Sequence, residues 1–326
     1  MRERFEKLLA YYREVYDLSK GAALLGWDQQ CYMPPAGSRA RAEQMATLTR
    51  LIHARMSSPA LGELLEAVAP WAEQQGEDSF EASVVRVLRR RHQEQVRVPA
   101  ALAEALSRAG STGFQAWVAA RRERRFDIFK EAFERIVALQ RELADALGWE
   151  ACRYDALLDL REPGVTTAWF DRLFGELRAE LVPLVRAVAS RQDAVDDAVL
   201  RQGWDEQRQW QFTLEAVRRV GYDLERGRQD RSVHPFTTSF SPDDVRITTR
   251  LDPNFFSPAF FASLHEAGHA LYMQGVPGEF YRTPLDGGAS SGVHESQSRM
   301  WENLVGRSRA FWAYFFPRLR EVFPAQ

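Results

Sequence analysis

His265 and His269 stand four residues apart in the run His265-Glu266-Ala267-Gly268-His269, with a carboxylate between them. On a helix that spacing places both imidazoles on one face, one turn apart, where their nitrogens can fill two corners of a tetrahedral metal site. Glu266 then projects beside the metal, positioned to take a proton from an activated water. Such a centre suits hydrolysis with Zn2+, and Co2+ fits the same donors. An ordinary amphipathic helix with two histidines would show the same spacing. The neighbours favour the metal, because Ala267, Gly268, Ala270 and Leu271 are small or apolar, as a buried helix requires. Four of the six histidines also fall between His234 and His294.

A third ligand is needed, and two histidines with one glutamate would leave a fourth position open for water. Glu295, in His294-Glu295-Ser296-Gln297, stands at the start of a helix after a glycine-rich loop. It is the preferred third ligand, although a carboxylate there would also favour the helix dipole. Glu302 lies seven residues on, on the same helical face, and either supports a ligand through a hydrogen bond or replaces Glu295.

The elements that must carry these groups are mainly helical. From residue 2 to about 225, apolar residues recur at helical spacing, as in Phe5, Leu8, Leu9 and Tyr12 or Phe129, Phe133, Ile136, Val137 and Leu143. Breaks at Met33-Pro34-Pro35-Ala36-Gly37, Ser58-Pro59, Val98-Pro99, Gly148 and Glu162-Pro163-Gly164 divide this stretch into seven or eight helices. Near residue 229 the character changes. His234 to Arg250 is rich in β-branched and aromatic residues, with Ser241-Pro242-Asp243 as a turn, which predicts an antiparallel hairpin. A helix from about Ser257 to Gln274 carries the histidines, and a final helix starts near Val293. The fold class is therefore mainly α, with a small antiparallel β-element beside an active-site groove. The organisation is a single domain over 1–326, helical over 1–228, with the hairpin and metal-motif helices over 229–326.

Composition excludes other functions. A net charge of -2 gives no basic field for a nucleic-acid partner. No apolar run is long enough to cross a bilayer, and the N-terminus lacks the apolar core of a signal peptide. Cys31 and Cys152 provide no disulfide framework, which fits a cytoplasmic protein.

With these residues in place, the chain resembles the M32 family of metallocarboxypeptidases, the carboxypeptidase Taq family. Trp27-Asp28, Met33-Pro34, Arg41 and Gln44 look like its opening helical hairpin, and Tyr154 to Asp159 with Glu162-Pro163-Gly164 is similar to its mid-domain signature. His234-Pro235-Phe236 matches H-P-F, Asp244-Val245-Arg246-Ile247-Thr248 matches D-x-R-x-T, and His294-Glu295-Ser296-Gln297 matches H-E-S/G-Q, all in the family's order. The resemblance implies a helical gluzincin-like fold, a homodimer, and broad removal of C-terminal residues from peptides. It implies Glu295 as third ligand and His234, Arg246 and His294 around the groove, in substrate binding or transition-state stabilisation. A capping or hairpin-packing role for His234 and an Asp244–Arg246 structural ion pair are the alternatives. Family members continue for about another third of their length, with I-R-x-x-A-D and G-x-x-Q-D-x-H-W motifs that are absent here. The first of these supplies the arginine that reads the substrate's terminal carboxylate. The expectation is an N-terminal portion of a longer enzyme, in keeping with the aromatics Phe311, Trp312, Tyr314, Phe315 and Phe316 spread around the last helix. An endo- or oligopeptidase and an inactive metal-binding fragment are the competing functions.

Overall fold

A computed structural model describes residues 1–325. The chain divides into two compact units, one made of Met1–Leu157, Thr238–Pro242 and Gly275–Ala289, the other of Leu158–Thr237, Asp243–Gln274 and Ser290–Gln326.

The first unit is built from helices α1 (Arg2–Cys31), α2 (Ser38–Met56), α3 (Pro59–Glu73), α4 (Phe80–Arg97), α5 (Ala100–Glu123) and α6 (Asp127–Leu147). Local chemistry sets their ends. Ser58 accepts a hydrogen bond from the Leu61 N–H with Pro59 in the first turn, and Ser79 does the same for Ala82. Gly148 ends α6 at φ 85°, a backbone region costly for residues with a Cβ. The i, i+3, i+4 stripe of α1 is fully used: Phe5, Leu8, Leu9 and Tyr12 are buried with Leu61, Leu65 and Val68 of α3 and Val84, Val85 and Leu88 of α4. A second cluster joins Leu102 of α5 to Leu139 and Leu147 of α6. The opening motif has a mechanical role here. Arg41 on α2 bonds Asp28 Oδ2 at 2.7 Å and the Leu25 carbonyl, which holds the α1–α2 hairpin closed.

The second unit carries the chemistry. After α7 (Arg153–Asp159), which straddles the boundary, come α8 (Thr167–Ala189), α9 (Glu206–Arg219), α10 (Phe256–Gln274), α11 (Ser291–Arg299) and α12 (Arg309–Val322). Up to α9 there are nine α-helices rather than seven or eight, because the short α7 and the separate α9 are resolved from their neighbours. The strands of this unit are β1 (Gln229–Arg231) and β3 (Asp244–Thr249), while β2 (Thr237–Ser241) belongs, from Thr238 on, to the first; the strand order is β1-β3-β2. β2 and β3 fall where the hairpin was expected. β1 was not foreseen; it pairs in parallel with β3, Gln229 against Ile247 and Arg231 against Thr249, so the sheet is mixed. Three residues of the type Gln-Asp-Arg carry no strand pattern, and only the pairing to β3 makes them one.

An aromatic core supports the metal-motif helix. Phe256, Phe260 and Leu264 of α10 pack with Trp204, Phe212, Phe311, Phe315 and Phe323. Of the aromatics on α12, Phe311 and Phe315 are thus buried, while Tyr314 and Phe316 remain exposed. The helix expected as continuous from Val293 is three pieces. α11 passes into a π-helical turn over Met300–Val305, and α12 begins only after Gly306. Gly306 is required, since a Cβ there would lie 2.7 Å from Leu264 Cδ1 and 2.9 Å from the Trp301 carbonyl.

Candidate metal centre

α10 buries eleven of its nineteen residues, Glu266, Ala267 and Gly268 among them. β3 fixes it from one side: Ser263 Oγ donates to Thr249 Oγ1 at 2.8 Å, and Thr249 Oγ1 donates to the Ala259 carbonyl. From the other side α11 approaches at Gly268. A Cβ on residue 268 would come within 2.7 Å of the Gln297 carbonyl oxygen and Ser298 Cα, so only glycine admits the two backbones at this distance. This close approach brings Glu295 to the histidines.

His265, His269 and Glu295 each offer one donor atom, and the three atoms lie within 4.8 Å of one another. Glu295 Oε2 is 3.7 Å from His265 Nε2 and 3.4 Å from His269 Nε2. Two imidazoles and a carboxylate converging on one point are a donor set suited to Zn2+. Behind them, His265 Nδ1 is 2.9 Å from Glu302 Oε2. A carboxylate in that place selects the Nδ1–H tautomer and leaves Nε2 as a free donor. Glu302 reaches there from the π-helical turn, whose wider winding departs from the regular helix assumed in the spacing argument. Its carboxylate also meets Arg299 and Arg307, each at 3.3 Å.

Electrostatics match this geometry. Burial pushes the His269 imidazole down to about 4, reinforced by His294 and His265, so it is neutral and ready to donate at neutral pH. Burial also lowers His294. For Glu295 burial acts upward, but the Arg299 hydrogen bond and the nearby His265, Arg299 and His269 outweigh it, and the pKa falls below the ordinary carboxylate value. Glu266 behaves oppositely. Burial pushes it up to about 7, against the lowering effects of a hydrogen bond from Thr237 and of His265. A carboxylate with that value holds a transferable proton near neutrality.

A cavity of about 680 Å³ opens beside these groups, lined by His234, Phe255, Phe261, His265, Glu266 and Glu295, among others. His234 therefore faces the same space as the histidine pair. His294 stacks on His269, ring centres 4.4 Å apart. Arg246 sits in a two-pronged bond with Asp244, Nε and Nη2 each 2.8 Å from a carboxylate oxygen, as the structural alternative had it. Two threonines escaped the sequence reading. Thr237 Oγ1 is 2.7 Å from Glu266 Oε2 and 3.0 Å from the Glu266 carbonyl oxygen. Thr248 Oγ1 accepts the Phe236 N–H at 2.8 Å and the Ser232 hydroxyl, securing the segment that carries His234. Their signal was adjacency, one following H-P-F and the other closing D-x-R-x-T, and hydroxyls in a strand read first as β-formers.

The chain matches the model of the carboxypeptidase Taq (M32) metallopeptidases over residues 7–326. It is 41% identical to thermostable carboxypeptidase 1 of Thermus thermophilus, over 98% of this chain and 64% of that protein. Carboxypeptidase 1 of Bacillus subtilis is 33% identical over 97% of this chain and 64% of its own length. The crystal structure of the M32 carboxypeptidase from Deinococcus radiodurans R1 superposes with a TM-score of 0.85 at 38% identity, covering 99% of this chain and 64% of that one. The chain thus spans less than two thirds of the relatives it matches. The histidine pair on a buried helix, the glutamate brought to it by α11 and a match along nearly the whole chain lead to one assignment: this protein belongs to the M32 family of metallopeptidases.

Proposed function

We propose that this chain forms the Zn2+ centre of a carboxypeptidase, with His265, His269 and Glu295 as ligands, Glu266 as general base and Glu302 orienting His265. The observation that carries the reading is the convergence of three donor atoms within 4.8 Å, next to a buried carboxylate whose pKa is pushed up to about 7. Zn2+ held there would polarise a peptide carbonyl and acidify a water. Glu266 takes the proton from the attacking water and passes it to the departing amine. Thr237 keeps the Glu266 carboxylate directed toward the ligands, and the apolar Phe255 and Phe261 limit water at the scissile bond. His234, His294 and Arg246 are assigned to substrate binding or transition-state stabilisation, the last with its planar donors ordered by Asp244. Broad specificity, a homodimeric state and a cytoplasmic location complete the proposal. Cys31 and Cys152 provide no disulfide framework, in keeping with that location. No helix among the described residues is long and apolar enough to cross a membrane.

Glu266→Gln tests the reading. The variant is expected to bind one Zn2+ per chain, by metal analysis after dialysis, while losing hydrolysis of an N-blocked dipeptide by about a thousandfold or more. Retained hydrolysis would remove Glu266 from the mechanism. A second reading is favoured by coverage, since about a third of the relatives' length has no counterpart here. In it the chain binds the metal but cleaves no peptide by itself. A Zn2+-loaded sample that leaves both free and C-amidated peptides intact would select this second reading; cleavage of the amidated peptide would instead indicate an endopeptidase.

A further inference from the structure

The segment Glu162-Pro163-Gly164 lies far from the metal ligands in sequence, yet in the structure it grips the start of α11. Glu162 Oε1 accepts the Gly292 N–H in a short hydrogen bond, and the Arg161 carbonyl accepts the Ser291 N–H at 3.0 Å. Ser290 caps the same turn by accepting from the Val293 N–H. Asp159 in turn fixes the gripping loop, its carboxylate accepting the Gly164 N–H at 2.7 Å, with Gly164 at φ +80°. Gly292 belongs to this arrangement, because a Cβ there would stand 3.1 Å from Glu162 Oε1.

α11 has only nine residues, and Glu295 lies in its second turn, three residues after Gly292. A helix this short has little stability of its own, so the orientation of Glu295 depends on what holds its ends. At the far end, α11 is braced by Gly268 and the π-helical turn. At the near end it is held by the Ser290 cap and the Arg161–Gly164 loop. We propose that Glu162 is a positioning residue for Glu295: it anchors the first turn of α11 and thereby sets the carboxylate at metal-binding distance from His265 and His269. The motif 130 residues upstream of Gly292 is in this view part of the metal centre's support. The inference rests on the reading of Glu295 as a ligand.

The test measures Zn2+ affinity of the full chain by chelator competition, in a double-mutant cycle that needs no catalytic activity. Glu295→Ala should weaken binding strongly. Glu162→Ala should weaken it by about tenfold, as outer-sphere supports of metal ligands do. Glu162→Gln, which keeps an acceptor oxygen, should stay within about threefold of the parent. In the Glu295→Ala background, Glu162→Ala should add no further loss. If Glu162→Ala costs the same factor with and without Glu295, or if its metal-free form melts well below the parent, Glu162 serves the fold generally and the proposal is overturned. If Glu162→Ala leaves affinity unchanged while Glu295→Ala lowers it, the positioning role fails and the ligand reading stands. No effect of Glu295→Ala would remove the ligand reading itself, and the proposal with it.

Discussion

α10 and α11 bring candidate ligands to one point by different physical means. α10 is nineteen residues long, buries eleven of them, and is locked by the aromatic core and by Ser263 and Thr249. α11 is nine residues long with only Ser298 buried, and its carboxylate Glu295 is 45% exposed. The histidine pair is therefore held by packing, where a small change of volume is felt strongly. The glutamate is held by hydrogen bonds and charges at a partly wet surface, where each contact contributes less and salt weakens it. The two imidazoles thus form a rigid base and the proposed third ligand an adjustable edge, with Gly268 as the point of contact between them.

The largest effect should come from that contact. Gly268→Val would force a branched side chain against the Gln297 and Ser298 backbone and should cost about 3 kcal/mol of stability. Urea unfolding of the metal-free protein would measure it. A change below about 0.5 kcal/mol would mean that the helices part easily and that the α10 face is not packing-limited. Next in size is Glu302→Gln. Removing the charge behind His265 Nδ1 should weaken Zn2+ binding by about ten- to a hundredfold without altering urea stability comparably. Equal losses in both measurements would make Glu302 a general support of the π-helical turn. The smallest effect should fall on the exposed edge. Arg299 bonds Glu295 at 2.8 Å, but the two side chains are 57% and 45% exposed. Arg299→Ala should therefore change Zn2+ affinity by less than about threefold, and that change should shrink at about 1 M salt. A tenfold, salt-insensitive change would show that the edge is as tightly constrained as the base.

Much of the site was legible because its information is local. The four-residue spacing of His265 and His269 has one helical meaning, and the apolar residues around it announce burial. The hairpin of β2 and β3 was legible from alternation and a turn. β1 was not, since Gln229-Asp230-Arg231 becomes a strand only by pairing with a segment eighteen residues away. The break at Gly306 was hidden for a similar reason, because the glycine answers to Leu264 across the packing as well as to the Trp301 carbonyl of the preceding turn. Arg246 resembles a groove residue by motif, and only the coordinates show that its guanidinium makes a two-pronged bond with Asp244, two residues before it. Thr237 was hidden by its type, since a hydroxyl in a strand signals little until a carboxylate is found beside it.

The helix, the histidine pair, the carboxylate between them and the family were readable from the chain alone, because short-range periodicity and chemistry at fixed offsets survive without coordinates. Only the tertiary structure decided that Glu295 reaches those histidines through a glycine-lined contact, that Glu302 holds His265 from a π-helical turn, and that Thr237 and Glu162 bear on Glu266 and α11. The Thr237, Glu302 and Glu162 contacts are approaches of less than 3 Å between segments 29 to 130 residues apart, and Glu295 comes within 3.4 Å of His269. Such distances follow from how cores pack, and local spacing carries no record of them.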